Sequence, residues 1–472
     1  MLFNSWQFAV FFLVAFFFYY LPIVRRFQLT ILIGASLFFY FQGAGGLTIL
    51  LLVSMLVNAL VSYAIVRLPA SSRLRKYFCF LGIAFNLLIL CFFKYAGLFL
   101  NSFGSLLTPV LLNVVKALAA IPLPLGISFY CLGSISLIVD RTRGTFSKES
   151  RLPEALRDTA VFISFFPHLI SGPILRAGQF FPQIEKKRFR EIDWYTGFKW
   201  IIMGYFLKVF VADNLASLTW FLNFPYFLQI GTMDNLLLLY AYSAQIFADF
   251  AGYSLIALGL AKLFGYSIIN NFDAPYISAS LREFWRRWHI SLSTWMRDYL
   301  FIPLGGSRCS RMRTSFNTLI VMALAGLWHG ASWNFAIWGG LHGMALVVER
   351  QLLSKLVLPP TAFCWLAKVL VTFTFVSFTW VCFILHDLGH VQLLIQHLCS
   401  DVSEPVDTNR FWLVFFFALP VFLMHMVQLA KEQSKLQNVL GHPYFRISAL
   451  GTMIFLAIIN PGPPHAFIYF QF

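Results

Sequence analysis

Long apolar runs recur along this chain from residue 7 to residue 459, and nothing else in it constrains the fold so strongly. They lie near 7–24, 28–42, 47–66, 77–100, 103–121, 158–171, 197–212, 235–262, 315–329, 332–348, 365–385, 410–430 and 446–459. A helix of about 20 apolar residues crosses the roughly 30 Å of bilayer hydrocarbon. Of the 472 residues, 59% are hydrophobic and 11% charged, against about 25% charged in soluble domains. Mean hydropathy is +0.75. So few charges cannot clothe a soluble core of this size. At about 150 residues per domain the length would suggest three soluble domains; the continuity of the runs predicts one membrane domain over 1–472. Runs such as 158–171 and 315–329 are too short to span alone. Short pieces interrupted by Gly or Pro survive at membrane depth only where protein buries them or water lines them. The expectation is an all-α polytopic membrane protein with about eleven transmembrane helices and several re-entrant segments.

The net charge of +16 is concentrated in a few connections between the runs. In a soluble chain such a balance would raise nucleic acid as a partner; here the excess of Lys and Arg in cytoplasmic loops accounts for it, and no nucleic-acid partner is expected. Arg25-Arg26, Arg67 to Lys76, and Arg141 to Arg157 then face the cytoplasm, which puts the N-terminus outside. The stretch Glu185 to Arg190 joins that side if the preceding segment dips in and returns. Residues 282–313 hold seven arginines against Glu283 and Asp298. The run Phe8 to Val24 ends at Arg25-Arg26 with no small-residue cleavage site, so it reads as a first span rather than a cleaved leader. The seven cysteines are scattered without metal or redox spacing. The polar stretch 399–410 reads as a loop between late spans.

Ionisable groups at membrane depth are costly and mark functional candidates. Four segments carry them: Ser164 to Arg176 with His168 between two prolines; Gln245 to Tyr253 with Asp249 alone in apolar sequence; Arg282 to Asp298; and Gly326 to Asn334. In the third, a continuous helix would place Arg282, Trp285 or Arg286, and His289 on one face, with Trp288 and Trp295 on an adjacent stripe. Six of the thirteen tryptophans fall between Trp285 and Trp338. An aromatic belt with arginines reaching lipid phosphates explains the Trp and Arg, but not a His among them. In the fourth, His329 lies sixteen residues past Arg313 across an uncharged stretch, roughly 24 Å along a helix at about 1.5 Å per residue. An imidazole at that depth, flanked by Gly326 and Gly330, is suited to taking a proton from a hydroxyl. For His168 and Asp249 taken alone, hydrogen bonding within the bundle is the competing role. His342 follows Trp338 by four residues and reads as packing; His386, His390 and His397 read as wet. No acidic neighbours stand at zinc-ligand spacing, so no metal is expected. No nucleophile elbow or phosphate-binding glycine loop is present.

Taken together, these segments resemble the membrane-bound O-acyltransferase family, in its bacterial branch of alginate O-acetyltransferase-like and D-alanyl-transfer proteins. The resemblance runs through Pro124-Leu-Gly-Ile-Ser-Phe-Tyr130, Val139-Asp-Arg-Thr-Arg-Gly144, Phe166 to Arg176, Asp249-Phe-Ala-Gly-Tyr-Ser254 and Asn271-Phe-Asp-Ala-Pro-Tyr276. It continues through Glu283 to His289, Arg297 to Gly306, Gly326-Leu-Trp-His-Gly-Ala331 and Phe467-Ile-Tyr-Phe-Gln-Phe472. The chain departs from the alginate-type pattern at Leu255, where those relatives often carry Asp. The resemblance implies a ring of helices around a thinned centre with a tunnel, the core of the site lying within about 120–350. It implies His329 as the catalytic histidine and His289 as a second functional position, which is Asn in many eukaryotic relatives. Trp285, Arg286, Trp288, Asp249, Asn334 and His168 are the candidate substrate-binding residues.

The implied activity moves an acyl group, acetyl foremost, from a cytoplasmic thioester across a bacterial inner membrane. The thioester, acetyl-CoA or an acyl-carrier, is a co-substrate, and no bound cofactor is implied. The acceptor is a hydroxyl of an extracytoplasmic polysaccharide, reached directly or through a Ser of a periplasmic or extracellular esterase-like partner. D-alanyl transfer from a carrier protein to teichoic acid is the alternative inside the family. Outside it stands a transporter or flippase, which should show paired repeats; none is visible.

Overall fold

The computed structural model describes residues 3–146, 151–169, 172–353, 359, 361–400, 405–430 and 440–468. Residues 170 and 171 and 469–472, parts of two of the motifs above, and 401–404 of the polar stretch fall outside them. Every regular element among the described residues is a helix. Among the described residues six helical stretches are long and apolar enough to cross a membrane: Pro22–Arg67, Arg73–Leu106, Trp194–Leu222, Thr232–Leu263, Ala362–Ile384 and Thr408–Ala430. Two shorter apolar helices, Trp6–Tyr20 and Pro443–Ile459, accompany them. The chain is a multi-pass, all-helical membrane protein.

The chain divides into two compact units, residues 1–198 with 256–269, and 199–255 with 270–472. The first holds α1 (Trp6–Tyr20), α2 (Gln28–Ala44), α3 (Thr48–Arg67), α4 (Arg73–Phe103), α5 (Pro109–Ala119), α6 (Ile127–Arg143) and α7 (Leu152–Ser164). Phe8, Phe11, Phe39 and Phe166 share one aromatic cluster. Asn58 of α3 and Asn86 of α4, both fully buried, join side chain to side chain, with Asn86 Nδ2 donating to Asn58 Oδ1 at 2.7 Å. In an apolar medium a polar pair of this kind is secure because the alternative is an unpaired amide.

Two short runs behave differently. The run at 158–171 breaks as its sequence suggests: α7 stops at Ser164 and a separate turn, Phe166–Leu169, follows, because Pro167 has no N–H with which to continue the ladder. The run at 103–121, read as a span, yields only the 11 residues of α5, about 16 Å of helix, roughly half the hydrocarbon thickness. Gly104 and Pro109 divide the apolar stretch into a turn and a short helix.

The second unit carries residues 199–222 of α8 (Trp194–Leu222), residues 232–255 of α9 (Thr232–Leu263), α10 (Leu281–Arg287), α11 (Ile290–Met296), α12 (Arg311–His329), α13 (Trp333–Gln351), α14 (Ala362–Thr379), α15 (Leu388–Ser400), α16 (Thr408–Ala430) and α17 (Pro443–Ile459). Helices α12 and α13 form a tight antiparallel hairpin. A Cβ at Gly326 would stand 2.0 Å from the Phe335 carbonyl oxygen, and one at Gly339 2.1 Å from that of Met322. Backbone is thus pressed on backbone across the hairpin, the small-residue contact by which membrane helices associate. Gly326→Ala must separate the two helices, and a destabilisation of about 1–3 kcal/mol is expected from overpacking. The check is the melting temperature of the purified protein in detergent; an unchanged value would contradict the packing.

Candidate active site

His329 is the last residue of α12 and is 4% exposed. The helix is unbroken from Arg311, so the distance read from the sequence stands. Gly330 then turns the chain into an extended conformation, and a Cβ there would meet the Phe335 ring at 2.2 Å. The backbone exit from His329 is therefore fixed by glycine. Around the imidazole stand Trp328, Trp338 and Phe383, with ring centroids 5.1, 5.3 and 5.5 Å away.

His289 reaches the same place by an unexpected route. The one-face helix expected over 282–289 does not form. α10 ends at Arg287, Trp288 is extended, and His289 has φ 43° and ψ 53° before α11 begins. A left-handed conformation at a residue other than Gly is uncommon and costs on the order of 1–3 kcal/mol, so it persists only where its surroundings impose it. Asn271 imposes it here: its carbonyl accepts from Ile290 N at 3.0 Å and its side-chain oxygen from Ser291 N at 3.2 Å. These bonds satisfy donors that the start of a helix leaves open. The break leaves Arg282 and Arg286 exposed and turns Trp288 and His289 inward, where they are 1% and 0% exposed.

The two histidines come within 6.1 Å, ring centroid to ring centroid, and Trp328 lies beside both. Burial pushes the His289 imidazole down to about 3, so it is neutral at physiological pH. Trp285 stands 5.7 Å from Trp338 and 5.3 Å from His342, and Trp288 stacks among Phe284 and Trp380. The buried indole N–H groups of Trp285 and Trp338 have no acceptor within the described residues. Asn334 donates its side-chain amide to the Leu385 carbonyl and ties the start of α13 to the chain after α14. His342 bonds Thr379 Oγ1 at 3.0 Å and packs, as its position implied. Of the other histidines, His386 is exposed, His390 stacks on Phe224 at 4.0 Å and His397 meets the Ile230 carbonyl at 3.0 Å. His168 belongs to the first unit, its Nε2 3.4 Å from the Phe162 carbonyl oxygen.

Asp249 is not alone. Lys208 Nζ lies 2.8 Å from Asp249 Oδ1 and 2.7 Å from Asp213 Oδ1, and the three side chains are at most 5% exposed. The sequence reading missed Lys208 and Asp213, although a lysine inside the apolar run 197–212 and an aspartate directly after it were a visible signal. Their separation of five residues does not fit α-helical pairing at three or four. Residues Phe206–Ala212 form a π turn in which Asp213 N bonds back to the Lys208 carbonyl, and that extra residue per turn brings the two charges together. Lys208 also donates to the His465 carbonyl at 3.0 Å, and Ile468 N to Asp249 Oδ2 at 2.8 Å. The segment 465–468 is thereby held against α8 and α9, with Phe467 on Tyr253 and Phe250, and Phe250 4.7 Å from His289. Burial, and then the Lys208 charge, lower the His465 imidazole from its ordinary value. No cluster of three or more His, Cys, Asp or Glu capable of holding a metal ion occurs among the described residues.

The paired histidines lie inside a segment with a known counterpart. The family model described as membrane-bound O-acyltransferase matches residues 37–386. The chain belongs to the membrane-bound O-acyltransferase family. It is an acyltransferase, and its donors are of the acyl class. The chain is 38% identical over 387 residues to the probable alginate O-acetylase AlgI of Pseudomonas aeruginosa, covering 81% of this chain and 72% of that one. To the peptidoglycan O-acetyltransferase of Helicobacter pylori it is 30% identical over 439 residues, covering 84% of this chain and 81% of the relative. To the teichoic acid D-alanyltransferase of Bacillus subtilis it is 30% identical over 269 residues, covering 54% of this chain and 67% of the relative.

Proposed function

We propose that this acyltransferase moves an acetyl group from a cytoplasmic thioester to a hydroxyl of an extracytoplasmic polysaccharide, directly or through a Ser of an esterase-like partner. The observation that carries the reading is the pair of buried histidines 6.1 Å apart, one ending a helix that starts in the basic stretch, in a chain 38% identical to an alginate O-acetylase. In the proposed step His329 takes the proton of the acceptor hydroxyl as its oxygen attacks the thioester carbonyl. The new C–O bond forms, the C–S bond breaks, and the proton passes from His329 to the leaving thiolate. His289, neutral and held in a strained backbone, supports the carbonyl as charge develops on its oxygen, and the indole N–H groups of Trp285 and Trp338 donate to the same donor. Arg286 and the other exposed arginines draw the anionic part of the donor to the cytoplasmic face. Trp288, Asp249 and Asn334 shape the pocket walls. We assign this step to one membrane domain of about eleven spans and re-entrant pieces around a tunnel, in a bacterial inner membrane with the N-terminus outside.

The test is acyl transfer in membrane vesicles supplied with labelled acetyl-CoA. Label in glycan or in a Ser of a partner, dependent on His329, is the expected result; label that persists in His329→Ala overturns it. D-alanyl transfer is the second reading, favoured by the 30% identity to the Bacillus subtilis enzyme; label carried only from a D-alanyl carrier protein would select it. The two histidines should separate by substitution. His289→Asn keeps a hydrogen-bonding group of neutral charge and is expected to retain a tenth or more of the rate, whereas His289→Ala falls about 10²-fold, the loss typical of one carbonyl-binding donor. Equal rates for the two variants would remove His289 from the chemistry.

A further inference from the structure

We propose that the polar cavity beside Lys208, Trp220 and Phe383 is the acceptor subsite, and that it takes an uncharged sugar unit and excludes an acidic one. The inference rests on the proposed transfer to an extracytoplasmic glycan and names the class of acceptor. The cavity has a volume of about 160 Å³, the bulk of one pyranose ring. It opens at the C-terminal end of α8, the span whose N-terminal end follows the basic stretch 185–190 in sequence; there Trp220 is 46% exposed and His386 is exposed. Its wall includes Phe383, whose ring neighbours include His329, so one aromatic ring stands between the cavity and the proposed catalytic imidazole.

The lining decides the chemistry. At the mouth, Trp220 rests on Tyr226 with ring centroids 4.1 Å apart, a broad aromatic face of the kind on which the C–H face of a sugar ring packs. Such rings combine apolar area with a polar edge. Asn223 and Gln245 supply amides to the same cavity. Its floor is charged but offers no cation. Among the described residues Lys208 is the one Lys or Arg in the lining, and an ammonium has three N–H donors. All three are engaged, by Asp213, Asp249 and the His465 carbonyl. With that ammonium already shared between two carboxylates, the three side chains at most 5% exposed, a uronate-type carboxylate would be desolvated there without a free ammonium to pair with. An uncharged ring with several hydroxyls suffers no such penalty and can donate to the carboxylates.

The experiment uses the full chain in membrane vesicles with labelled acetyl-CoA and two acceptors of equal length, a neutral β-glucan oligosaccharide and an oligo-uronate. Expected is His329-dependent label on the neutral acceptor, at least tenfold less on the uronate, and at least a tenfold rise in KM for the neutral acceptor in Trp220→Ala. Trp412→Ala removes another exposed aromatic, on α16, and should not change that KM. Equal labelling of both glycans, label on a peptide Ser in place of glycan, or an unchanged KM in Trp220→Ala overturns the subsite. So does thioester consumption that depends on His329 yet labels neither glycan. Absence of any His329-dependent thioester consumption is a different result and overturns the acetyl-transfer reading beneath it.

Discussion

His329→Ala is expected to lower acyl transfer by at least about 10³-fold, within the range for loss of a general base with the contacts it makes in the transition state, while the protein still accumulates in the membrane. The residue ends its helix, so removing its side chain breaks no helical hydrogen bond. Its three aromatic neighbours, Trp328, Trp338 and Phe383, are held by their own contacts to His289, Trp285 and Trp380. The variant therefore loses chemistry before it loses fold. Three measurements on one preparation check this: membrane protein level, melting temperature in detergent and transfer rate. His329→Gln, which keeps a hydrogen-bonding side chain but cannot accept and release a proton at neutral pH, should be as inactive as His329→Ala. A well-expressed His329→Ala protein with more than a tenth of wild-type activity would end the assignment.

The fold class was legible because membrane insertion leaves so few options. Apolar runs of this length and recurrence have to become helices that satisfy their own backbone, and the Pro-interrupted run at 158–171 broke where Pro167 required it. His329 was legible for a related reason: sixteen uncharged helical residues carry it away from the arginines without any tertiary detail. The conformation at His289 was not. Arg286-Arg-Trp-His-Ile-Ser291 contains no Gly or Pro, and a continuous helix was the natural local reading. The break is imposed by Asn271, eighteen residues earlier, which offers a carbonyl and a side-chain oxygen to Ile290 and Ser291. Tertiary hydrogen bonds overrode local propensity at the position where the proposed site turns a side chain inward, a common place for such conflict. Asp249 was seen but not its partners, since a pair spaced by five residues becomes neighbours only through the π turn. The motif at 467–472 is legible in the sequence, but nothing local says that the backbone at 465–468 satisfies Lys208 and Asp249.

Lys208→Met is expected to cost most of the protein's stability rather than only its activity. It leaves Asp213 and Asp249 buried without their cation, and breaking one partner from a buried ion pair typically costs about 3–5 kcal/mol. It also removes the donor to the His465 carbonyl, so the segment that packs Phe467 against Phe250 loses one of its anchors. The melting temperature in detergent should fall by many degrees, and the fraction of protein eluting as a single folded species should drop. A second substitution separates the causes. Lys208→Met combined with Asp213→Leu and Asp249→Asn removes the uncompensated charge, while the amide oxygen introduced at position 249 still accepts from Ile468 N. Replacing a whole buried ionic cluster is often neutral in stability. The triple variant should therefore regain most of the lost melting temperature. If it does not, the cluster's role is to hold 465–468 through the bonds of Lys208 and Asp213 to His465. If Lys208→Met alone melts like the wild type, the three charges are not coupled as their 2.7 and 2.8 Å separations require. Transfer by the stabilised triple variant then reports on catalysis free of folding: a full rate would make the cluster architectural, whereas a reduced rate with normal melting would make it part of the path by which an acceptor approaches His329.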